Sequence, residues 1–372
     1  MGKPSIPRGS DYMFNAIWEG NGKGQRVGRF IPYTDNGTIA KSVAFNGSND
    51  TLVRTFGSGN QKVWTMSLWV KRCGLSAGRI ISRRTGGGST AANLGFNSSN
   101  QFEFYDGSYS INLLTNRTFE DTSKWYHIYV RYEASNGTAA DRFQVYVDGE
   151  RQTFTTTDTL SDANGNLNSA SAHGIGYYYT NNSDYFNGYM AEFNWIDGTN
   201  YSVDTFGLTD TSTGRWIPKS LTGITYGTNG FRMQFANSAG QTIGDDTSGN
   251  TNDFTVNNLA ATDISTDTPT DLYPTLADFQ ASYGGTYSEG NLKLDGSTNA
   301  QTSTGRSTLS FDVEDSTGYY FEFRNMGTSS FGSNFNGYGI TGVNADFITP
   351  SSGALYPNGG HYCTLQEDGN VR

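Results

Sequence analysis

Apolar and polar positions alternate with period two in several short runs of the chain. Trp64, Met66, Leu68 and Val70 fall on one face of such a run, with Thr65, Ser67 and Trp69 on the other, the pattern of a half-buried strand. Tyr126, Ile128, Val130 and Tyr132 share one side of the next clear run. Phe143, Val145 and Val147 continue the alternation as far as Asp148-Gly149, a pair that favours a tight hairpin turn. The pattern predicts that these three share an inward face with Trp64, Met66 and Leu68. Further strands are expected at 189–195 and 231–235, separated by clusters of Gly, Asn, Ser and Thr. No segment has the length and period of an amphipathic helix. Many short strands between turn-rich joints predict an all-β sandwich, and the lack of a clean repeat of about 20 to 50 residues argues against a solenoid or propeller.

Residues 1–40 show neither period and read as an extended arm. Its apolar anchors include Met13, Phe14, Trp18 and Phe30. Lys3, Arg8, Lys23, Arg26 and Arg29 outnumber Asp11 and Glu19, a local +3 in a chain of net charge −10. Such an arm suits docking onto an acidic neighbour, with its buried rings supplying most of the energy. A sandwich with its extension is expected over 41–256. A linker follows over 257–289, where two of the eight prolines fall and alternation stops. A second β unit is expected over 290–372, its clearest strand carrying Tyr319, Phe321 and Phe323.

Composition narrows the function classes. Charged residues are 16% of the chain and aromatics 14%, with 47 glycines in 372 residues, which excludes long helices and a disordered polymer. A net charge of −10 disfavours wide contact with nucleic acid or anionic lipid. Cys73 and Cys363 lack disulfide or zinc spacing and are expected to be buried thiols. The N-terminus has no apolar stretch of a secretion signal, no run is long enough for membrane insertion, and Ile6 stands where a myristoylation signal needs Ser or Thr.

The strings SVAFNGSNDTLVRT, WTMSLWVKR, KWYHIYVRYE, FQVYVDGER and FNGYMAEFNW, spanning residues 42–197, resemble a laminin G-type, concanavalin A-like jelly roll. The continuation GRWIPKSLTGITYGTNGFRMQFANS, IGDDTSGNTNDFTVNNLAATD and DTPTDLYPTL is similar to a module of marine bacteriophage tail fibres. EGNLKLDG, YYFEFR, YGITG and LQEDGNVR resemble the beginning of a SPRY domain, which implies further chain after Arg372 or pairing with another copy. This resemblance implies a non-enzymatic virion protein, assembled in the bacterial cytoplasm. Its arm would be docked to the tail or an adaptor, its sandwiches would bind a host-surface glycan, and the chain would be a homo-oligomer, with a trimer favoured. A spacer or decoration protein without ligand, or a polysaccharide depolymerase, are the competing classes.

Concanavalin-type folds also host glycosidases, which need two carboxylates about 5 to 10 Å apart. Glu103 with Asp106, and Glu192 with Asp197, have odd separations that put each pair on opposite strand faces. Glu103 is expected on an exposed face and Asp197 in an Asp-Gly turn. His127, His173 and His361 have no short metal-ligand spacing, and His127 reads as a packed strand residue. Tyr177, Tyr178, Tyr179, Asn181, Asn182, Asp184 and Tyr185 combine flat rings with polar tips in one expected loop. That composition suits sugar contact, or tyrosines packing inward. Asp245, Asp246, Ser248, Asn250 and Asp253 gather hard oxygen donors around Gly249, as calcium loops do. The same residues also suit a polar turn held by Asx hydrogen bonds, and no other cofactor is expected.

Overall fold

A computed structural model describes residues 37–84, 90–109, 111–155, 160–211, 214–235 and 241–277, with short segments between 286 and 366. The arm residues Met13, Phe14, Trp18, Arg26, Arg29 and Phe30 lie outside the described residues, as does the strand expected at 319–323. Two compact units are present, divided between Tyr273 and Pro274.

The strands of the first unit, in chain order, are β1 (Ser42–Asn46), β2 (Thr51–Thr55), β3 (Val63–Arg72), β4 (Gly78–Arg83), β5 (Ala92–Phe96), β6 (Gln101–Asp106), β7 (Ile111–Thr118), β8 (Tyr126–Glu133), β9 (Phe143–Val147), β10 (Glu150–Arg151), β11 (Ala172–Ile175), β12 (Asn187–Asp197), β13 (Gly207–Thr209), β14 (Trp216–Pro218), β15 (Phe231–Met233), β16 (Thr255–Asn257) and β17 (Ile264–Ser265). The first sheet runs β10-β9-β8-β3-β12-β1-β17, with β15 also on β12; the second runs β16-β2-β11-β4-β5-β6-β7. All of these pairings are antiparallel.

The core between the sheets follows from the alternation. Trp64, Met66, Leu68 and Val70 of β3, Tyr126, Ile128, Val130 and Tyr132 of β8, and Phe143, Val145 and Val147 of β9 are buried in one cluster with Leu94, Phe96, Phe102 and Phe104 of the second sheet. Trp64 stacks on Trp195 at 4.7 Å and Tyr132 at 5.1 Å, and Phe104 on Phe143 at 4.4 Å. The β9–β10 hairpin turns at Asp148-Gly149, both in the left-handed region at φ 52° and 81°. Gly149 is needed there twice over, because a Cβ would stand 2.5 Å from the Trp216 ring.

Two sequence expectations are corrected. β3 is not half-buried: its residues from Trp64 to Arg72 are buried on both faces. The outer face of the first sheet carries a roof made of residues 37–39, the β13–β14 hairpin with its flanking loops, and residues 264–273. Trp69, Trp125, Tyr189 and Ile39 form one apolar cluster beneath it, and Tyr129, Ile196, Phe206 and Tyr226 another. Polar residues under the roof are paired, as burial requires. Lys71 Nζ lies 2.9 Å from Asp267, both almost fully buried. Asp267 also accepts hydrogen bonds from Trp125 Nε1 and the Tyr273 amide.

The segment expected as a linker from 257 is, as far as Tyr273, part of the sandwich. β16 edges the second sheet against β2 and β17 edges the first against β1, so this stretch covers one edge of each sheet. It needs little alternation because its backbone hydrogen bonds and buried Asp267, Thr268 and Thr270 hold it.

The second unit shows β18 (Leu276–Ala277), β19 (Thr286–Ser288), β20 (Lys293–Asp295), β21 (Arg306–Ser307), β22 (Gly337–Ile340), β23 (Asp346–Ile348), β24 (Tyr356–Asn358) and β25 (Cys363–Gln366). They pair antiparallel as β18–β21, β19–β20, β22–β25 and β23–β24. Among the described residues, both units are built of β-strands, joined in the first by short 3-10 turns.

Candidate functional site

Among the described residues, the outer face of the second sheet carries less cover than that of the first: Ser82, Asn93 and Glu103 are buried, but Tyr105 and Gln101 are half-buried and Asn112 is exposed. Register across β11, β4, β5, β6 and β7 aligns Gly174, Ser82, Asn93, Tyr105 and Asn112 in one outward row, with Arg79, Gly95, Glu103 and Leu114 in the neighbouring row. Their alternates Leu94, Phe96, Phe102 and Phe104 point into the core. Glu103 is therefore outward but not exposed: Arg79 pairs with it and also with Asp184, 3.3 Å away. Register alone brings Arg79 over Glu103, which no local pattern announces.

The loop 177–185 lies over one end of this face. Tyr178 and Ser183 exchange backbone hydrogen bonds of 2.7 and 3.3 Å, and Asn182 and Asp184 take left-handed backbone at φ 52° and 48°. Ser82 Oγ donates to the Tyr177 carbonyl and accepts from the Tyr179 amide, both at 2.8 Å, which ties the loop to β4. Tyr177 is buried, its ring stacked on Tyr185 at 5.5 Å and close to Tyr179 at 5.2 Å, above the bare surface of Gly174. It supports the site rather than facing a ligand. Tyr178, Asp184 and Tyr185 are half-buried, and Asn181 is exposed. Burial pushes the Tyr178 hydroxyl above its ordinary pKa, with Tyr105, Arg79 and Asp184 acting on it electrostatically.

Asn93 is only 2% exposed, and its Oδ1 accepts no hydrogen bond among the described residues. A buried amide oxygen left unmatched costs about 1 to 3 kcal/mol, and because Oδ1 is itself shielded from solvent it is a cost inside the sheet face rather than a contact point for a ligand. Asn93, Tyr105 and Arg79 are not singled out by the sequence, and Glu103 stands out there only as a candidate catalytic carboxylate beside Asp106. Strand alternation could have joined Glu103 to Tyr105, but not to Asn93 or Arg79.

The other candidates resolve differently. Glu103 points outward while Asp106 points inward, its carboxylate taken by the Asn166 backbone and side chain. Glu192 lies on the outer side of β12. Asp197 ends β12 on the core side rather than in an exposed turn, binding the Asn60 and Asn229 amides at 2.7 and 3.0 Å and Asn168 Nδ2 at 2.6 Å. Neither pair can flank one glycosidic bond.

His127 Nε2 is 2.9 Å from Ser67 Oγ, which resembles half of a nucleophilic dyad. Its Nδ1, however, accepts the Trp216 indole N–H at 2.9 Å. The network therefore assigns the proton to Nε2, which donates to Ser67 and cannot take its proton. Burial pushes the His127 pKa down to about 4, keeping the ring neutral.

The 245–253 loop is saturated with internal donors. Asp246 Oδ1 accepts the Arg232 and Ser248 amides at 2.9 and 2.8 Å, and Oδ2 accepts Ser248 Oγ and the Asn252 amide at 2.8 and 2.9 Å. Asp253 accepts the Asp246 amide at 2.8 Å, Asp245 accepts from Thr242, and Asn250 Nδ2 donates to the Gly227 and Gly230 carbonyls. N–H groups aimed at the carboxylates are the wrong sign for a cation, so these residues fit the Asx-bonded turn and not a calcium cradle.

Residues 45–200 match the Laminin_G_3 family, described as concanavalin A-like lectin/glucanases superfamily. The sandwich has a laminin G/concanavalin A-like fold. Among solved structures, a proposed carbohydrate-binding protein from Bacteroides ovatus is similar at 16% identity and a TM-score of 0.43, covering 62% of this chain and 60% of that one. The heptameric SAP-like pentraxin of Limulus polyphemus is similar at 14% identity and a TM-score of 0.34, covering 44% and 78%. The CBM40 of Ruminococcus gnavus IT-sialidase, bound to alpha2,3 sialyllactose, is similar at 11% identity and a TM-score of 0.29, covering 41% and 91%. Likeness at these levels is one of fold alone. No curated protein matches the chain.

Proposed function

We propose that this chain is a non-catalytic glycan-binding protein whose contact surface is the outer face of the second sheet. The observation that carries the reading is the half-buried Tyr178 gathered with Tyr105, Arg79 and Asp184 on this face. A sugar ring would rest on these tyrosine faces, while Arg79 and Asp184 offer donors and acceptors to its hydroxyls. The family match of residues 45–200 supports the same reading. The resemblance of the later segments to bacteriophage tail fibres supplies the setting: attachment of a virion to a host-surface glycan. In that setting the arm would dock to the tail and the chain would act as a homo-oligomer.

The test is binding of the whole chain to polysaccharide purified from the surface of candidate host bacteria, measured by calorimetry and by size analysis of the polysaccharide. Saturable binding, weakened about tenfold or more by Tyr105→Ala and by Asp184→Asn with polysaccharide length unchanged, is expected; tenfold corresponds to about 1.4 kcal/mol. Equal binding by both variants would move the site elsewhere. Shortened polysaccharide would make the chain a depolymerase, and no binding by the wild type to any host polymer would leave a spacer.

A further inference from the structure

The opposite side of the sandwich holds a cavity of about 180 Å³ between the first sheet and its roof. At roughly 30 Å³ per water it has room for about six waters, and so for one ring-sized molecule rather than a polymer. Ser67, Trp69, Glu192, Asn194, Phe206 and Arg232 line it, with residues 37–39 and 218–221 as the far wall. That wall is tightly closed: Gly37 has φ 99°, and a Cβ there would stand 2.5 Å from the Lys219 carbonyl carbon.

Three independent features aim polar groups into this space. The first is the His127 tautomer. Because Nε2–H donates to Ser67 Oγ, the Ser67 hydroxyl keeps its own proton free to donate, and Ser67 lines the cavity. The second is a β-bulge. β12 shifts register between Ala191 and Asn194 against β3, and Glu192 adopts φ 47°, a backbone state costly for a residue of this kind and common where a side chain is re-aimed for function. The third is the Glu192–Arg232 ion pair, made at 2.5 Å by Arg232 Nε and Glu192 Oε1 alone. It leaves the second carboxylate oxygen and the terminal guanidinium nitrogens available. Asn194 is spent internally, accepting from the Tyr226 hydroxyl at 2.7 Å and donating to the Glu192 carbonyl at 3.0 Å, and so fixes the bulge.

We infer that this cavity is a second binding site, distinct from the outer face of the second sheet, and that it takes one uncharged sugar ring or a small polyol. The ligand must offer acceptors to Ser67 and Arg232 and donors to Glu192 within one ring's span, which neighbouring hydroxyls do. The Trp69 and Phe206 side chains supply the apolar boundary against which a ring's C–H face rests. A charged ligand fits less well, because Glu192 and Arg232 already neutralise each other.

The test titrates the whole chain with glucose, galactose, N-acetylglucosamine and glycerol, following tryptophan fluorescence and heat. At least one is expected to bind saturably. Ser67→Ala and Glu192→Gln should each weaken it about tenfold, the loss of one well-placed hydrogen bond, while Tyr105→Ala leaves it unchanged. Thermal melts show whether each variant is folded; Glu192→Gln keeps the shape and serves if Ser67→Ala does not fold. The inference is overturned if no neutral probe saturates, if binding survives both substitutions, or if glucuronate or acetate binds more tightly. Binding abolished by Tyr105→Ala would assign the sugar to the other face and leave the proposed function standing without this site.

Discussion

The two outer faces of the sandwich start from the same strand grammar and end differently covered. On the first sheet, the outward residues Thr65, Ser67, Trp69 and Lys71 are all buried. On the second sheet the outward Ser82, Asn93 and Glu103 are buried as well, but Gln101 and Tyr105 are half-buried and Asn112 is exposed. The difference is the roof. Its effect is to turn outward polar residues of the first sheet into obligatory partners, such as Thr65 Oγ1 at 3.1 Å from the Thr199 carbonyl and Lys71 on Asp267. The face of the second sheet instead leaves Tyr105, Tyr178 and Asp184 half-buried. One sheet thus spends its outer face on stability and holds a small cavity beside its roof, while the other leaves part of its face open, where the proposed recognition surface lies.

The largest expected effect lies under the roof. Lys71→Ala leaves the Asp267 carboxylate buried with only the Trp125 and Tyr273 N–H groups. Breaking a buried pair this way costs about 3 to 5 kcal/mol. Urea denaturation should show that loss, and the double variant Lys71→Met, Asp267→Leu should recover most of it, since apolar replacement of both partners is often neutral or better. If Lys71→Ala unfolds at the wild-type urea midpoint, the roof contributes little and the contrast between the faces is weaker than described.

Acid should come next. His127 sits under the roof and His173 stacks on Phe56 at 4.0 Å in the core, both wholly buried, with pKa values lowered by burial to about 4 and about 3. For His127, Asp148 opposes the burial; for His173, the hydrogen bond to the Ser171 carbonyl opposes it. Each group binds its proton more readily unfolded, near the ordinary value of about 6.5. Its contribution is therefore fully present above pH 6.5 and is lost as pH falls toward the folded value. The loss for His127 amounts to roughly 3 kcal/mol at one pKa unit per 1.36 kcal/mol. Melting temperature should fall between pH 6.5 and 4, and His127→Gln should flatten that slope. A slope identical in the variant would mean that His127 is not the buried neutral ring described.

Much of this architecture is legible in the residues. The inward faces of β3, β8 and β9 and the Asp148-Gly149 turn follow from alternation and turn chemistry, which are local. The roof is not, because Thr65 and Ser67 look like solvent-facing residues until chain 130 or more residues away covers them. The candidate recognition face is half legible: the tyrosine-rich loop stands out by composition, whereas Arg79, Asn93 and Tyr105 meet it only through the register of β4, β5 and β6. Within the 257–289 stretch that the sequence presents as a linker, residues up to Tyr273 lack a hydrophobic period because their burial rests on paired polar residues such as Asp267 and Thr270.

On the less covered face the stability effect should be small and the binding effect large. Tyr105→Ala removes a half-buried side chain, so under about 1 kcal/mol of stability is expected to go. A loss of several kcal/mol in a urea titration would show that Tyr105 is packed like the residues beneath the roof, and the proposed recognition face would lose its central ring.

The smallest effect expected is at the 245–253 loop. If calcium bound there at a hundred times its dissociation constant, it would stabilise the fold by about 2.7 kcal/mol and raise the melting temperature by several degrees. The four hydrogen bonds already directed at Asp246 argue against this, since a cation would have to displace the Arg232, Ser248 and Asn252 amides that define the loop. Scanning calorimetry in millimolar calcium and in excess chelator should give melting temperatures within about a degree of each other. Asp246→Ala, by contrast, frees those amides and should lower stability in both buffers alike, by roughly 1 to 3 kcal/mol for donors left unmatched. A calcium-dependent rise that Asp246→Ala abolishes would reverse the assignment and make this loop a metal site.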